Sequence, residues 1–162
     1  MYKHNMLPEK WLAEWIDPEL PHDPEERQPS SVLRCRFSLD SVEDALLYIT
    51  CHGMYTAHLN GQRVGEFVLA PGTGDYRQRL TVQAYDVSAL LHTGENEITV
   101  TLGDGWYRGN VGVDGLNNYY GSDIALLCQL ETDGKPVLVS DENWEASQNG
   151  PIRLNDLQMG ES

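Results

Sequence analysis

From Val32 the chain takes on a period of two. Leu33, Cys35, Phe37 and Leu39 alternate with Arg34, Arg36, Ser38 and Asp40, which predicts a strand with one face in a core and the other in water. Residues 45–51 form an unbroken apolar run and read as a central strand. Tyr55, Ala57 and Leu59 alternate with Thr56, His58 and Asn60, and Asn60-Gly61 supplies the positive φ angles of a tight hairpin turn. The returning strand is expected over 62–69, followed by a Pro/Gly-rich loop over 70–75. Leu80, Val82 and Ala84 alternate with Thr81, Gln83 and Tyr85. Residues 86–91 suggest one short helical turn capped by Asp86, and 92–96 a turn. Ile98, Val100 and Leu102 then alternate with polar neighbours. Residues 124–130 form a second buried strand, Asp133-Gly134 marks a hairpin, and 137–139 continue it. Trp144 is placed on a late strand, and the tail from Asn149 is rich in turns. About eight or nine short strands with evenly spaced turn signals predict an all-β, antiparallel β-sandwich or jelly roll.

Residues 1–30 lack this period. Pro18, Pro21, Pro24 and Pro29 exclude a long helix, and 11–16 are expected as a helical turn or an edge strand. Residues 17–30 read as an irregular, extended arm that Trp11 or Trp15 pins to a body comprising 31–162.

Composition narrows the function. A chain of 162 residues that is 40% hydrophobic suits a folded domain burying about two-thirds of its unfolded surface. No run approaches the roughly 20 apolar residues of a membrane span. The formal charge is −14, which repels phosphate, so neither nucleic acid nor an anionic membrane is an expected partner. Neutral sugars are indifferent to it. Cys35, Cys51 and Cys128 lack both a pairing count and C-x-x-C spacing, so buried thiols in a reducing cytoplasm are expected. Met1-Tyr2-Lys3-His4-Asn5 lacks the apolar core of a signal peptide, which fits a cytoplasmic location.

Candidate chemistry concentrates in Leu102-Gly103-Asp104-Gly105-Trp106-Tyr107-Arg108-Gly109. Glycines let a backbone turn sharply or approach a ligand closely, and Trp and Tyr offer flat apolar faces with a polar edge. One reading is a stacking platform on which Asp104, Arg108, Asn117 and Asn118 bond sugar hydroxyls. The other has Trp106 filling the sandwich edge and Arg108 pairing with a local acid. Tyr119 and Tyr120 lie in the loop with the greatest expected exposure and are separate platform candidates. The glycines are not a phosphate loop, because no Lys-Ser/Thr follows and no helix is expected there. His52 and His58 could share a face, but no third ligand is spaced with them, and G-x-S-x-G is absent. Asp104, Asp114 and Asp123 are candidate calcium ligands without D-x-D-x-D-G spacing. No cofactor is required.

Several motifs recur in a fixed order: Leu59-Asn60-Gly61-Gln62-Arg63-Val64-Gly65, Ala70-Pro71-Gly72-Thr73-Gly74-Asp75-Tyr76-Arg77, Tyr85-Asp86-Val87, Gly94-Glu95-Asn96, the glycine-aromatic loop, Trp144, Gly150-Pro151-Ile152 and Gly160-Glu161. Across roughly 15–161 this set resembles the N-terminal β-sandwich domain of bacterial α-L-rhamnosidases. The resemblance implies a galactose-binding-like jelly roll that belongs to a larger, inverting glycosidase releasing terminal α-L-rhamnose. Its catalytic acids would lie in a downstream helical (α/α)-barrel, and no position here matches them. It implies a non-catalytic accessory role, either recognising a rhamnose-containing glycan or glycoside or positioning the catalytic domain. A purely structural interdomain brace is the alternative. The implied partners are that glycan and the downstream domains. Thr73 and Gly74 depart from the family pattern, in which an aromatic and a threonine precede Asp75-Tyr76.

Overall fold

The computed structural model describes residues 7–19, 21–23, 26–112, 115–153, 155–156 and 160–161. The first five residues, Pro24 and Asp114 of the sequence reading lie outside them.

Two antiparallel sheets pack face to face. The first contains β1 (Ser31–Leu39), β3 (Met54–Leu59), β4 (Gln62–Arg63), β6 (Gly94–Gly103) and β9 (Glu145–Ser147), in the order β4-β3-β6-β1-β9. The second contains β2 (Leu46–His52), β5 (Gln83–Asp86), β7 (Ala125–Thr132) and β8 (Lys135–Val139), in the order β5-β2-β7-β8. Two short strands, β10 (Asn155–Asp156) and β11 (Gly160–Glu161), pair beside them. All these pairs are antiparallel, so the all-β sandwich expected from the alternation is the fold observed.

The alternation sets the core. Ile98, Val100 and Leu102 of β6 are fully buried and face Leu47, Ile49, Leu126 and Leu130 of the other sheet within one cluster. β2 is buried on both faces over Leu47–Cys51, which explains its unbroken apolar run. Its outer face is covered by the N-terminal segment. Ile16 exchanges backbone hydrogen bonds with Leu126 at 3.0 and 2.9 Å, and Glu14 N–H donates to the Ser140 carbonyl. Buried Gln129 accepts from the Leu12 and Ala13 amides and donates to the Lys10 carbonyl. Trp11 meets Tyr48 edge-on. The segment therefore occupies the edge of β7 that β8 leaves open.

Turn chemistry follows the sequence closely in one place. Asn60 has φ +51°, and its amide donates to the Leu90 carbonyl and to Asn96. Asn96 is buried and ties back to the His92 and Gly94 carbonyls. Elsewhere the structure corrects the reading. The strand expected over 62–69 ends at Arg63. Phe67 and Val68 face solvent, and Leu69 adopts φ +58°, which a strand cannot hold. Ala70 then rejoins the sheet through a bridge to Tyr55. Residues 80–82 are not in a strand; Thr81 gives its carbonyl to the Thr50 hydroxyl instead of a ladder. The turn expected over 92–96 is shorter, because β6 already begins at Gly94. Asp86 binds the amide and hydroxyl of Ser88, but Val87 holds the cap position of the 3-10 turn Ser88–Leu90. Trp144 precedes β9 and is buried, its indole N–H donating to the Val139 carbonyl. His52 and His58 fall on different sheets and share no face.

Candidate functional site

The glycine-aromatic loop leaves the sandwich at the end of β6. The Asp104 amide donates to Asn155 Oδ1 at 2.6 Å. Gly105 sits at φ +55°, and a Cβ there would lie 2.8 Å from the Gly53 carbonyl carbon and 3.0 Å from Met54 N. Only glycine allows this turn against the β2–β3 corner. A single helical turn, α1 (Gly105–Arg108), opens there, contrary to the expectation of no helix. Four residues are too few to show in a period.

Arg108 anchors α1. Its Nε and Nη2 donate to Asp104 Oδ1 at 2.8 and 2.6 Å. Nη1 and Nη2 donate to Glu19 Oε2 and Oε1 at 2.6 and 3.0 Å, and Nη1 also donates to the Ser122 carbonyl at 3.0 Å. Every N–H of the guanidinium is engaged. The side chains are 7% exposed for Arg108, 1% for Glu19 and 8% for Asp104. Burial opposes the charge on Arg108, but the bonds to Glu19 and the neighbouring Asp104 outweigh it and raise its pKa. His22 Nδ1 approaches Glu19 at 3.6 Å.

Beyond α1, Val111 and Leu116 bridge through two 3.0 Å backbone hydrogen bonds. The chain then returns, with Asn118 N–H donating to the Arg108 carbonyl and Tyr120 N–H to the Tyr107 carbonyl. This return brings five rings together. Trp15 stacks on His52 at 4.4 Å, and His52 on Tyr107 at 4.6 Å and 4°. Tyr76 meets both Tyr107 and Tyr120. Burial lowers the His52 pKa and raises that of Tyr76 to about 12. Arg77 lies 4.7 Å over the Tyr119 ring and donates to the Tyr119 carbonyl at 2.8 Å, which fixes the outer tyrosine from behind.

In front of this stack is an open cleft of about 280 Å³ lined by Thr73, Trp106, Val111, Gly112, Leu116, Tyr119 and Tyr120. Leu116 and Tyr119 are 54% and 45% exposed. The eight candidate residues thus separate into groups. Trp106, Tyr119 and Tyr120 converge on the cleft. Tyr107 lies behind it, within the stack. Asp104 and Arg108 are buried and bonded to each other. Asn117 is exposed, and Asn118, at φ +54°, shapes the return of the loop. Asp123 is exposed and accepts from Ser122. Among the described residues no three His, Cys, Asp or Glu side chains converge as metal ligands. The sequence reading missed Glu19 as a partner of Arg108; it named Trp15 as a pin for the N-terminal segment, which its stack on His52 bears out, but not His52 as its partner. It also missed Val111 and Leu116, although a lone leucine in a polar, glycine-rich loop is itself a signal. Thr73, where the chain departs from the family pattern, lines the cleft.

Two packed antiparallel sheets with an aromatic loop at one end place the chain among the jelly-roll β-sandwiches. The profile of the family described as Alpha-L-rhamnosidase N-terminal domain matches residues 40–162, and the chain belongs to that family. It is 45% identical over 136 residues to an Alpha-L-rhamnosidase of Streptomyces avermitilis, covering 80% of this chain and 13% of the relative. An Alpha-L-rhamnosidase of Alteromonas sp. is 32% identical over 162 residues, with 93% of this chain and 18% of the relative covered. Among solved structures, native alfa-L-rhamnosidase from Aspergillus terreus superimposes with a TM-score of 0.86 at 40% identity, over 93% of this chain and 18% of that one. A lectin from Pleurotus ostreatus, with a TM-score of 0.51 at 16% identity over 86% of this chain and 36% of that one, shares the fold alone. The chain therefore spans less than a fifth of the length of the rhamnosidases it matches here.

Proposed function

We propose that this chain is the non-catalytic recognition domain of an α-L-rhamnosidase, holding a rhamnose-containing glycoside while another domain cleaves it. The observation that carries this reading is the open cleft walled by Trp106, Tyr119 and Tyr120, since aromatic faces pack on the C–H faces of sugar rings and their polar edges reach hydroxyls. Glycoside hydrolysis needs two facing carboxylates, and the described residues lining the cleft include none. That supports assigning the chemistry elsewhere in the enzyme. The test is titration with L-rhamnose and a rhamnosyl disaccharide, following tryptophan fluorescence, with and without calcium. A saturable change that is lost in Trp106→Ala is expected, and no change up to tens of millimolar sugar would overturn the reading.

One observation favours a second reading. Phe67, Val68 and Leu69 are consecutive and 46%, 68% and 41% exposed, beside a groove of about 220 Å³ floored by Met54, Thr56 and Thr101. Contiguous exposed apolar surface of this kind marks interfaces, as a structural brace between domains requires. A brace binds no sugar, so the same titration separates the two.

A further inference from the structure

Among its described lining residues the cleft is rich in flat and aliphatic surface and holds few groups that bond sugar hydroxyls. Trp106 and Tyr119 supply ring faces, and Val111 and Leu116 supply an aliphatic corner. Its described polar groups are the hydroxyls of Thr73, Tyr119 and Tyr120 and the Trp106 indole edge. No carboxylate, amide or guanidinium is among the described lining residues. Asp104 and Arg108 of the same loop are buried and bonded to each other, Arg108 also to Glu19, and the Arg77 guanidinium is engaged with the ring and carbonyl of Tyr119. A pyranose carries hydroxyls around its whole rim, and each one buried without a partner opposes binding. A planar apolar ring carries no such penalty. It would gain stacking on one side and aliphatic contact on the other. The chain's charge of −14 also favours a neutral ring over an anionic one.

We infer that the cleft is a subsite that takes the neutral aryl aglycone of an aryl rhamnoside in preference to its sugar. This inference rests on the recognition reading and names the part of the substrate recognised. The stacked Trp15–His52–Tyr107 column and Arg77 behind Tyr119 keep the ring faces in place before ligand arrives, which limits the ordering cost of binding.

The experiment is calorimetric titration of the 162-residue chain with L-rhamnose, methyl α-L-rhamnoside and phenyl α-L-rhamnoside. Phenyl α-L-rhamnoside is expected to bind at least about tenfold more tightly than the methyl glycoside, equivalent to about 1.4 kcal/mol. That advantage should fall below about threefold in Leu116→Ser and Tyr119→Ala, scaling with the stacking and burial removed. Both positions are about half exposed, so near-UV circular dichroism should show these variants folded even if Trp106→Ala is not. Equal affinity for the methyl and phenyl glycosides would overturn the aryl assignment and leave sugar recognition standing. An aryl advantage undiminished in both variants would place the subsite elsewhere and overturn the inference. Binding of none of the three would overturn both readings.

Discussion

Glu19→Ala separates a structural ion cluster from a decorative one. Glu19 is 1% exposed and makes two of the five hydrogen bonds of a guanidinium that is itself 7% exposed. Removing one partner of a buried pair typically costs about 3–5 kcal/mol, because the remaining charge stays out of water with fewer partners. Here Asp104 still holds Nε and Nη2, and the Ser122 carbonyl still holds Nη1. The remaining Arg108–Asp104 pair is also electrically balanced. Both considerations set the expected loss at the low end, about 3 kcal/mol. For a domain of this size that lowers the thermal midpoint by about 6–12 °C. Glu19→Gln keeps the shape and one acceptor and should fall between the wild type and alanine. The comparison is Glu145→Ala, which breaks an equally close contact to Arg34 at the surface, where the side chains are 44% and 69% exposed. Solvent already screens that pair, so no measurable shift is expected. Urea unfolding followed by near-UV circular dichroism measures all three, with the slope held constant as the check on the two-state assumption. If Glu19→Ala unfolds at the same midpoint as Glu145→Ala, the cluster does not hold the loop to the sandwich.

Two further outcomes follow from burial. His52 is held neutral between Trp15 and Tyr107, with its pKa below the ordinary 6.5 because it is desolvated. The unfolded chain therefore takes up this proton at higher pH than the folded one. Stability should fall as pH drops from about 6.5 to the lowered value and level off below it. Urea midpoints between pH 7.5 and 5 should show this slope in the wild type and lose it in His52→Phe; parallel profiles would refute the assignment. Burial also raises the thiols of Cys51 and Cys128, both fully buried, and to a lesser depth that of half-buried Cys35. An aromatic disulfide reagent should release at most one equivalent from native protein and all three after denaturation, and two rapid native equivalents would contradict the packing.

What was legible in the sequence was whatever depends on neighbours along the chain. Alternation located β1, β3 and β6, and the unbroken apolar runs located β2 and β7, because a side chain's face is fixed by its parity. Asn60-Gly61 announced its turn. The segment 62–69 misled for a physical reason: its apolar residues face solvent, so their order carries no information about a core. The site was legible in part. Trp106, Tyr119 and Tyr120 were nameable from a glycine-rich aromatic loop. The reading of Arg108 paired with a local acid holds for Asp104, but its second partner was not legible, since Glu19 lies 89 positions earlier in a stretch that reads as a loose arm. Nor could the sequence show His52 stacked between Trp15 and Tyr107, which come from three separate segments.

The position of β1 bears on where this unit can be divided. The family profile matches from residue 40, one residue after β1 ends, whereas relatives align over 93% of this chain. Yet β1 lies inside the five-stranded sheet, pairing with β6 along its whole length and with β9 on its other side. A cut at that border would strip β6 of one ladder and β9 of its partner strand. It would also remove the Ile16 bridge to β7. The residue would be a sheet with raw edges, each a template for pairing with another molecule. Any exchange of this block between enzymes must therefore carry β1 and the segment before it to stay soluble.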